Sequence, residues 1–455
     1  MITLLLVFLI LILSSGIGTA DEIFVQSGES IQAAVNSAVS GDVIIVKPGT
    51  YTENIKVTLH NLVIKSESGN PANTIIIAKD PAADVFSIES NKVTISGFKI
   101  MESKNDGIYM YQCKNCTVEN NRLLNNTVGV YLKNSEYNLI HGNLIGKGEK
   151  GIDIDQSSYN TISENRASKN RYGFYFPNSE GNVISNNTLS ENKDYGILLS
   201  TASGNTLSGN KASDNGRGIH LGNSDSNKIS DNTIVSNKVY GLFICPKSDK
   251  NRVLNNHFNN TVNAEANNGT DNIYNIEKTA GTNIVGGPYL AGNYWAKPDG
   301  FGPSEITPDA DGDGIADKIY RLENSDYVDS RPLVAVEIQE PVLPIANFSA
   351  SETSGYAPLS IQFTDLSENE TEKHWDFESD GNLDSTDDNP VHTYAAPGTY
   401  TVNLTAGNEN GTASKVFIIT VIEENKTQNG ITGLPGFELV YGMLGLLAVV
   451  LHRKK

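Results

Sequence analysis

The chain has 455 residues, 38% hydrophobic and 19% charged, with a formal net charge of −19. That length is ample for a large core, or for more than one. The acidic balance argues against a nucleic-acid or anionic-membrane surface, either of which needs a basic face, and favours a solvated exterior that accommodates divalent cations.

Residues 4–13 form an uncharged apolar run, followed by small residues up to Ala20. This reads as a secretory signal over residues 1–20, too short for a comfortable membrane span. Residues 30–38 carry the one good amphipathic helix signal, with Ser30 as N-cap and Ile31, Ala34, Val35 and Ala38 on one face. Such a helix would cover the open end of a stack of strands, whose unpaired edges otherwise invite aggregation.

From Gly107 to Asn260 the chain repeats. Seven segments stack on Gly107, Gly129, Gly151, Gly173, Gly196, Gly218 and Gly241, in steps of 22 or 23 residues. A period in that range marks a solenoid, whose units bury an apolar face only by stacking. Short alternating runs such as Ile152/Ile154 and Thr161-Ile162-Ser163 suit strands of about three to four residues, with no helical period. Three short strands per coil predict an all-β parallel helix.

One and three residues after each glycine, from Ile108/Met110 to Leu242/Ile244, all fourteen positions are apolar and should face the core. Fourteen residues after each glycine stands an Asn column: Asn121, Asn143, Asn165, Asn187, Asn210, Asn232 and Asn255. A second column, Asn138, Asn160, Asn182, Asn205 and Asn227, is broken by Cys116 at one end and Lys250 at the other. Asn tolerates left-handed turns, and stacked Asn side chains can bond along a ladder, so both columns read as structural.

The outward column two residues after each glycine holds Tyr109, Tyr131, Asp153, Tyr175, Leu198, His220 and Phe243. Neighbouring coils at about 4.8 Å make Tyr131, Asp153 and Tyr175 one patch, a ligand-binding candidate because aromatic faces beside a carboxylate suit sugar rings. Asp155 lies about 7 Å from Asp153 on the same face with Lys133 beside it, a separation used by inverting glycosidases. A catalytic role for Asp153 and Asp155 would also need one acid raised by burial, and the face reads as open. Ordinary exposed strand residues are the bland alternative.

Beyond Asn260 the repeat decays. Asp309, Asp311, Asp313 and Asp317 occupy positions 1, 3, 5 and 9 of a calcium loop, with Gly314 at the turn and the Ile315 carbonyl as a further ligand. Four carboxylates in nine residues repel one another unless a cation sits among them. Position 12 is Tyr320, so another ligand is needed, and Asp326 and Asp329 are nearby in sequence. An acidic surface turn is the alternative. Residues 341–344 mark a boundary, after which strand-like runs to residue 422 read as a small sandwich. Residues 423–433 form a linker, and residues 434–455 combine Leu434-Pro-Gly-Phe437, an apolar run and a basic tail that would stay cytoplasmic. Ten Asn-x-Ser/Thr sequons permit glycosylation. Three cysteines make no disulfide framework.

Four resemblances rest on these residues. Ile31-Gln32-Ala33-Ala34, Gly41-Asp42 and Pro48-Gly49-Thr50-Tyr51 resemble the opening of pectin-lyase-like right-handed β-helices, implying fold and handedness but no activity. Gly292-Asn-Tyr-Trp295, the Asp-rich loop and Tyr327-Val-Asp-Ser-Arg-Pro-Leu333, with the repeats, resemble the NosD-like family over roughly residues 23–335. Trp375-Asp376-Phe377, Asn389–Tyr394 and Pro397-Gly398-Thr399-Tyr400 resemble the PKD domain, a spacer module, with Glu378-Ser-Asp380-Gly381 as an insertion variant. The carboxy-terminal tail resembles the Pro-Gly-Phe sorting signals of archaeal surface proteins, implying cleavage and lipid attachment, with a plain single-span anchor as the alternative.

The expected domains are therefore residues 21–340, a β-helix with two caps, and 341–422, a PKD domain. The expected function is an exported, membrane-anchored envelope protein contacting glycans or neighbouring envelope proteins, with structural calcium, more a scaffold than an enzyme. A polysaccharide lyase, hydrolase or epimerase is the rival. The NosD likeness also suggests copper maturation through Met101, Met110, Cys113 and Cys116. Met110 should point into the core and Cys116 sits in an Asn column, so copper and zinc are disfavoured.

Overall fold

A computed structural model describes residues 20–266, 269–335 and 342–424. The signal segment up to residue 19, the linker from 425 and the sorting tail lie outside the described residues. Two compact units divide between Ile338 and Gln339. Among the described residues, no helix is long and apolar enough to cross a membrane.

The first unit is a parallel β-helix of three sheets with 11, 10 and 11 strands. Each regular coil runs one six-residue strand and two three-residue strands, as in Lys150–Asp155, Thr161–Ser163 and Arg166–Ser168. The register is strict: Tyr131 pairs with Asp153, and Asp153 with Tyr175. All fourteen apolar positions after the glycines are fully buried. Each contributes about 1.5–3 kcal/mol over exposure, and the stack forms one continuous core.

The Asn columns are hydrogen-bonded ladders. Asn165 Nδ2 donates to Asn187 Oδ1 at 3.1 Å, and Asn187 Nδ2 to Asn210 Oδ1 at 2.9 Å. The same oxygens accept the backbone N–H of the preceding coil's Asn, at 2.9 Å for Asn165 and 3.0 Å for Asn187. A third ladder, Asn170, Asn192, Asn215, Asn237 and Asn260, fills the remaining corner. The ladder residues do not supply the left-handed turns, contrary to expectation. In the regular coils the residue before each does so, whatever its type, as at Tyr159 (φ 57°), Glu164 (57°), Lys169 (59°) and Asn186 (56°). Two column assignments also shift by one residue. Asn232 bonds Asn256, not Asn255, and Asn227 bonds Asn251 beside Lys250, so the second column continues past its apparent break.

Both ends are capped. The helix Ile31–Ser37 begins at Ser30, whose side chain accepts from the Ala33 N–H. Glu53, unforeseen from sequence, accepts from the Ile31 and Gln32 N–H groups at 2.8 and 3.0 Å. At the far end Asn256 bonds Asn293, and no further Asn follows. Asp329 takes that place: its Oδ2 accepts from the Asn293 N–H at 2.8 Å and the Trp295 indole at 2.9 Å. A Cβ on Gly292 would lie 2.2 Å from Asp329 Oδ1, so the Gly-Asn-Tyr-Trp motif and the distant Asp are one device. The third ladder continues from Asn260 to Asn263, and Glu323 ends it, accepting from the Asn263 N–H at 3.2 Å.

The second unit pairs a three-stranded with a four-stranded sheet, around Trp375, Phe348, Phe363 and Phe377. Every strand-like run read from its sequence contributes to a strand, and Ser354–Tyr356 and Val391–Tyr394 complete the sandwich.

Candidate functional site: a carboxylate and tyrosine face

The six-residue strands carry the site, and their glycines decide which side chains reach it. A Cβ on Gly173 would lie 2.4 Å from the Gly196 carbonyl oxygen and 2.9 Å from Leu189, so the glycine faces inward against the next coil. The residue after it, Phe174, is buried as well. Two consecutive inward positions act as a bulge and return the residue before the glycine to the outer face. That column, Asp106, Val128, Lys150, Tyr172, Tyr195, Arg217 and Tyr240, was missed because a strict two-residue alternation places it inside. A signal was present, since only one of its seven members is aliphatic.

Lys150 shows the result. Its Nζ lies 2.5 Å from Asp153 Oδ2 and 4.7 Å from the centroid of the Tyr175 ring. Asp153 is thereby only 3% exposed. The expectation of an open face fails at this residue. Burial pushes the Asp153 carboxyl up, against the opposing pull of Lys150, and its buried Oδ1 has no hydrogen-bond partner. Tyr131 turns the other way, donating to Asp155 Oδ2 at 3.2 Å. Its phenol is raised by burial and by Asp155 and Asp153. Tyr109 packs on Tyr131 with ring centroids 5.3 Å apart. Lys133 pairs in register with Asp155.

Asp106, unforeseen, is 5% exposed. Burial, then the charges of Asp84 and Asp153, push its carboxyl up to about 8, with Lys150 opposing. Asp84 is also raised by burial while accepting from Asn105 Nδ2 at 2.7 Å. The face thus holds one carboxyl, Asp106, that keeps its proton to about pH 8, two more raised by burial, a cation and aromatic walls, a set able to bind hydroxyls or move protons.

In the 309–317 loop, Asp309, Asp311 and Asp313 bring carboxylate oxygens within 4.8 Å of one another. Asp309 also accepts from the Gly312, Asp313 and Gly314 N–H groups, and Lys278 Nζ lies 2.5 Å from Asp313 Oδ2. Asp317 stands outside that trio and accepts from the Ala310 N–H at 3.0 Å. Asp329 is not available as a further ligand, being wholly buried against Asn293 and Trp295. Ile315 bridges to Leu333, and the Ala316 N–H donates to Pro332 O at 2.7 Å, tying the loop to the last stretch of the unit. The second unit holds a comparable trio, Asp376, Glu378 and Asp384. The residues weighed for copper are enclosed: Met110, Cys113 and Cys116 are buried, with Cys113 Sγ 3.2 Å from Ile88 O and Cys116 Sγ 3.3 Å from Ser90 O. Met101 is half-buried.

Comparison with known proteins places this geometry. The profile described as right handed beta helix region matches residues 62–212, and PKD domain matches 339–421. The PGF-CTERM motif matches 434–455. The chain is a right-handed β-helix protein with a PKD domain and a PGF-CTERM motif. It is exported and anchored at the cell surface. The profile described as periplasmic copper-binding protein (NosD) matches residues 147–300. A cell surface glycoprotein of Methanothermus fervidus is 40% identical over 129 residues, covering 27% of this chain and 21% of that protein. The chain thus spans about a fifth of that relative's length. Among solved structures, pectate lyase Pel9A is 18% identical with a TM-score of 0.40, over 56% of this chain and 80% of the other. The mannuronan C-5 epimerase AlgE4 A-module of Azotobacter vinelandii is 15% identical with a TM-score of 0.39, over 53% and 90%. The Dettilon tailspike protein is 11% identical with a TM-score of 0.47, over 87% and 91%. None of these structural likenesses bears on what the chain does.

Proposed function

We propose that this surface protein is an envelope component that holds an extended glycan along the outer face of its six-residue strands. One observation carries the reading: Tyr131, Asp153 and Tyr175 are register neighbours, with Lys150 locked between carboxylate and ring. Six inter-coil steps from Tyr109 to Phe243 make that face about 29 Å long at ordinary strand spacing. With Asp106 protonated near neutrality, Asp84, Asp153 and Asp155 are balanced along the face by Lys133, Lys150 and Arg217, so a neutral glycan suits it better than a polyuronate. Glycan-array binding by the full chain tests this, with Tyr131→Ala and Tyr175→Ala each expected to weaken binding about tenfold. Unchanged affinity in the double variant, or no glycan bound at all, would sink the proposal.

Catalysis is the second reading, favoured by the proton that Asp106 keeps up to about pH 8 beside buried Asp153. New reducing or unsaturated ends on a bound polysaccharide, lost in Asp106→Asn or Asp153→Asn, would establish it. Copper maturation rests on the NosD description alone, since Cys113 and Cys116 are enclosed in the core. The 309–317 loop is proposed as a structural calcium site, supported by its three converging carboxylates.

A further inference from the structure

Toward the carboxy-terminal end of the same face lies a constellation independent of the carboxylates. His220 Nε2 is 3.3 Å from Cys245 Sγ, and His220 Nδ1 is 2.5 Å from the Tyr240 hydroxyl. His220 comes from the strand Arg217–Gly222, and the other two flank the next coil's strand, Leu242–Ile244. The imidazole is wedged in place. Phe243 stacks on it with centroids 5.1 Å apart, and Tyr195 meets it edge-on at 5.3 Å. The Arg217 guanidinium lies over both Tyr195 and Tyr240, at 5.1 and 5.7 Å. Burial, then the Arg217 charge, push His220 down to about 4, so the ring is neutral and can take a proton. Cys245 is only half-buried, within reach of a reagent, and burial pushes its thiol up, so it carries its hydrogen at neutral pH.

We propose that Cys245, His220 and Tyr240 form a nucleophile, base and orienting group that take an acyl group from an ester. The working tautomer has the proton on Nδ1, donated to the Tyr240 oxygen, which leaves the Nε2 lone pair facing the thiol. Sulfur attacks the ester carbonyl carbon, the S–C bond forms, and the thiol proton passes to Nε2. The carbonyl carbon to alkoxy oxygen bond then breaks, and the departing oxygen takes the proton back from Nε2. The products are a Cys245 thioester and an alcohol, with no other reactant consumed. A weakly basic imidazole gives up its proton readily, which suits expulsion of an alcohol, and the aromatic walls suit an uncharged acyl group. Cys245 and His220 are the catalytic residues, and Tyr240 is a positioning residue.

The test uses the full chain with p-nitrophenyl acetate, acetylation being located by peptide mass mapping. One acetyl group is expected on the peptide carrying Cys245, at a rate nearly flat from about pH 5 to 8 because a neutral base is present throughout. His220→Gln should slow that acetylation about a hundredfold and leave a rate rising about tenfold per pH unit, as for an unassisted thiolate. Tyr240→Phe should slow it less and keep the plateau. Equal rates in the parent chain and His220→Gln, or a parent rate that climbs with pH throughout, would overturn the proposal. Melting curves check that the variants fold. Should either fail to fold, the parent's own pH profile still decides, a plateau supporting the relay and a continuous climb refuting it.

Discussion

Asp106 shows how much one side chain depends on its place in the coil. Enclosed beside Asp84 and Asp153, it holds its proton to about pH 8, against an ordinary value of 3.8. A carboxyl raised on folding contributes stability that is complete below the ordinary value and lost as pH rises through the folded value. Asp106→Asn is therefore expected to melt above the parent chain at alkaline pH and to lose that advantage on acidification to about pH 4. Melting curves across that range check it; a constant difference between the two proteins would show that Asp106 is not raised. Asp153 was legible in the sequence as part of a tyrosine-flanked patch, because outward positions follow from alternation. Asp106 and Lys150 were not, because the inward glycines insert an extra residue into that alternation and only packing against the next coil shows it. His220, Tyr240 and Cys245 were hidden for a related reason: they meet across a coil boundary that no local spacing marks.

At the scale of the coil, neighbouring asparagines have opposite jobs. Asn187 is buried, donates to Ile162 O at 2.8 Å and accepts from both the backbone and side-chain nitrogens of Asn165. Asn186, just before it, is exposed and supplies the left-handed turn at φ 56°. Asn187→Ala strands several buried polar groups and should cost about 3 kcal/mol or more. Asn186→Gly relieves the turn and should be close to neutral. Denaturant unfolding of both variants tests the division; equal costs would refute it. The repeat made the solenoid and its ladders legible, since fourteen buried apolar positions and two of the three Asn columns follow from counting. Counting failed at Lys250 and Asn255, where the corner takes one extra residue and the next asparagine enters the ladder instead.

At the scale of the molecule, an exported β-helix unit and a PKD unit precede a surface-anchoring tail. The motifs beyond the repeat announced a special ending, but not its logic: Asp329 and Glu323 replace the asparagines that a further coil would have supplied. The 309–317 loop is tied to residues 332–334 of that ending, so bound calcium should stabilise the cap. A chelator is expected to lower the full chain's melting temperature, and calcium to restore it. An unchanged melting temperature, with no calcium by elemental analysis, would rule the site out. The ladders have a consequence for how such a protein changes over time. Successive rungs join residues 22, 23 or 24 positions apart, as in Asn165 to Asn187, Asn187 to Asn210 and Asn232 to Asn256. The scaffold therefore keeps alignment by recognising an amide and not by measuring chain length. A corner can gain a residue without breaking the ladder, as between Asn232 and Asn256, and an added coil would bring its own rungs. Gene-level gain and loss of single coils would then adjust the reach of the surface like the links of a chain.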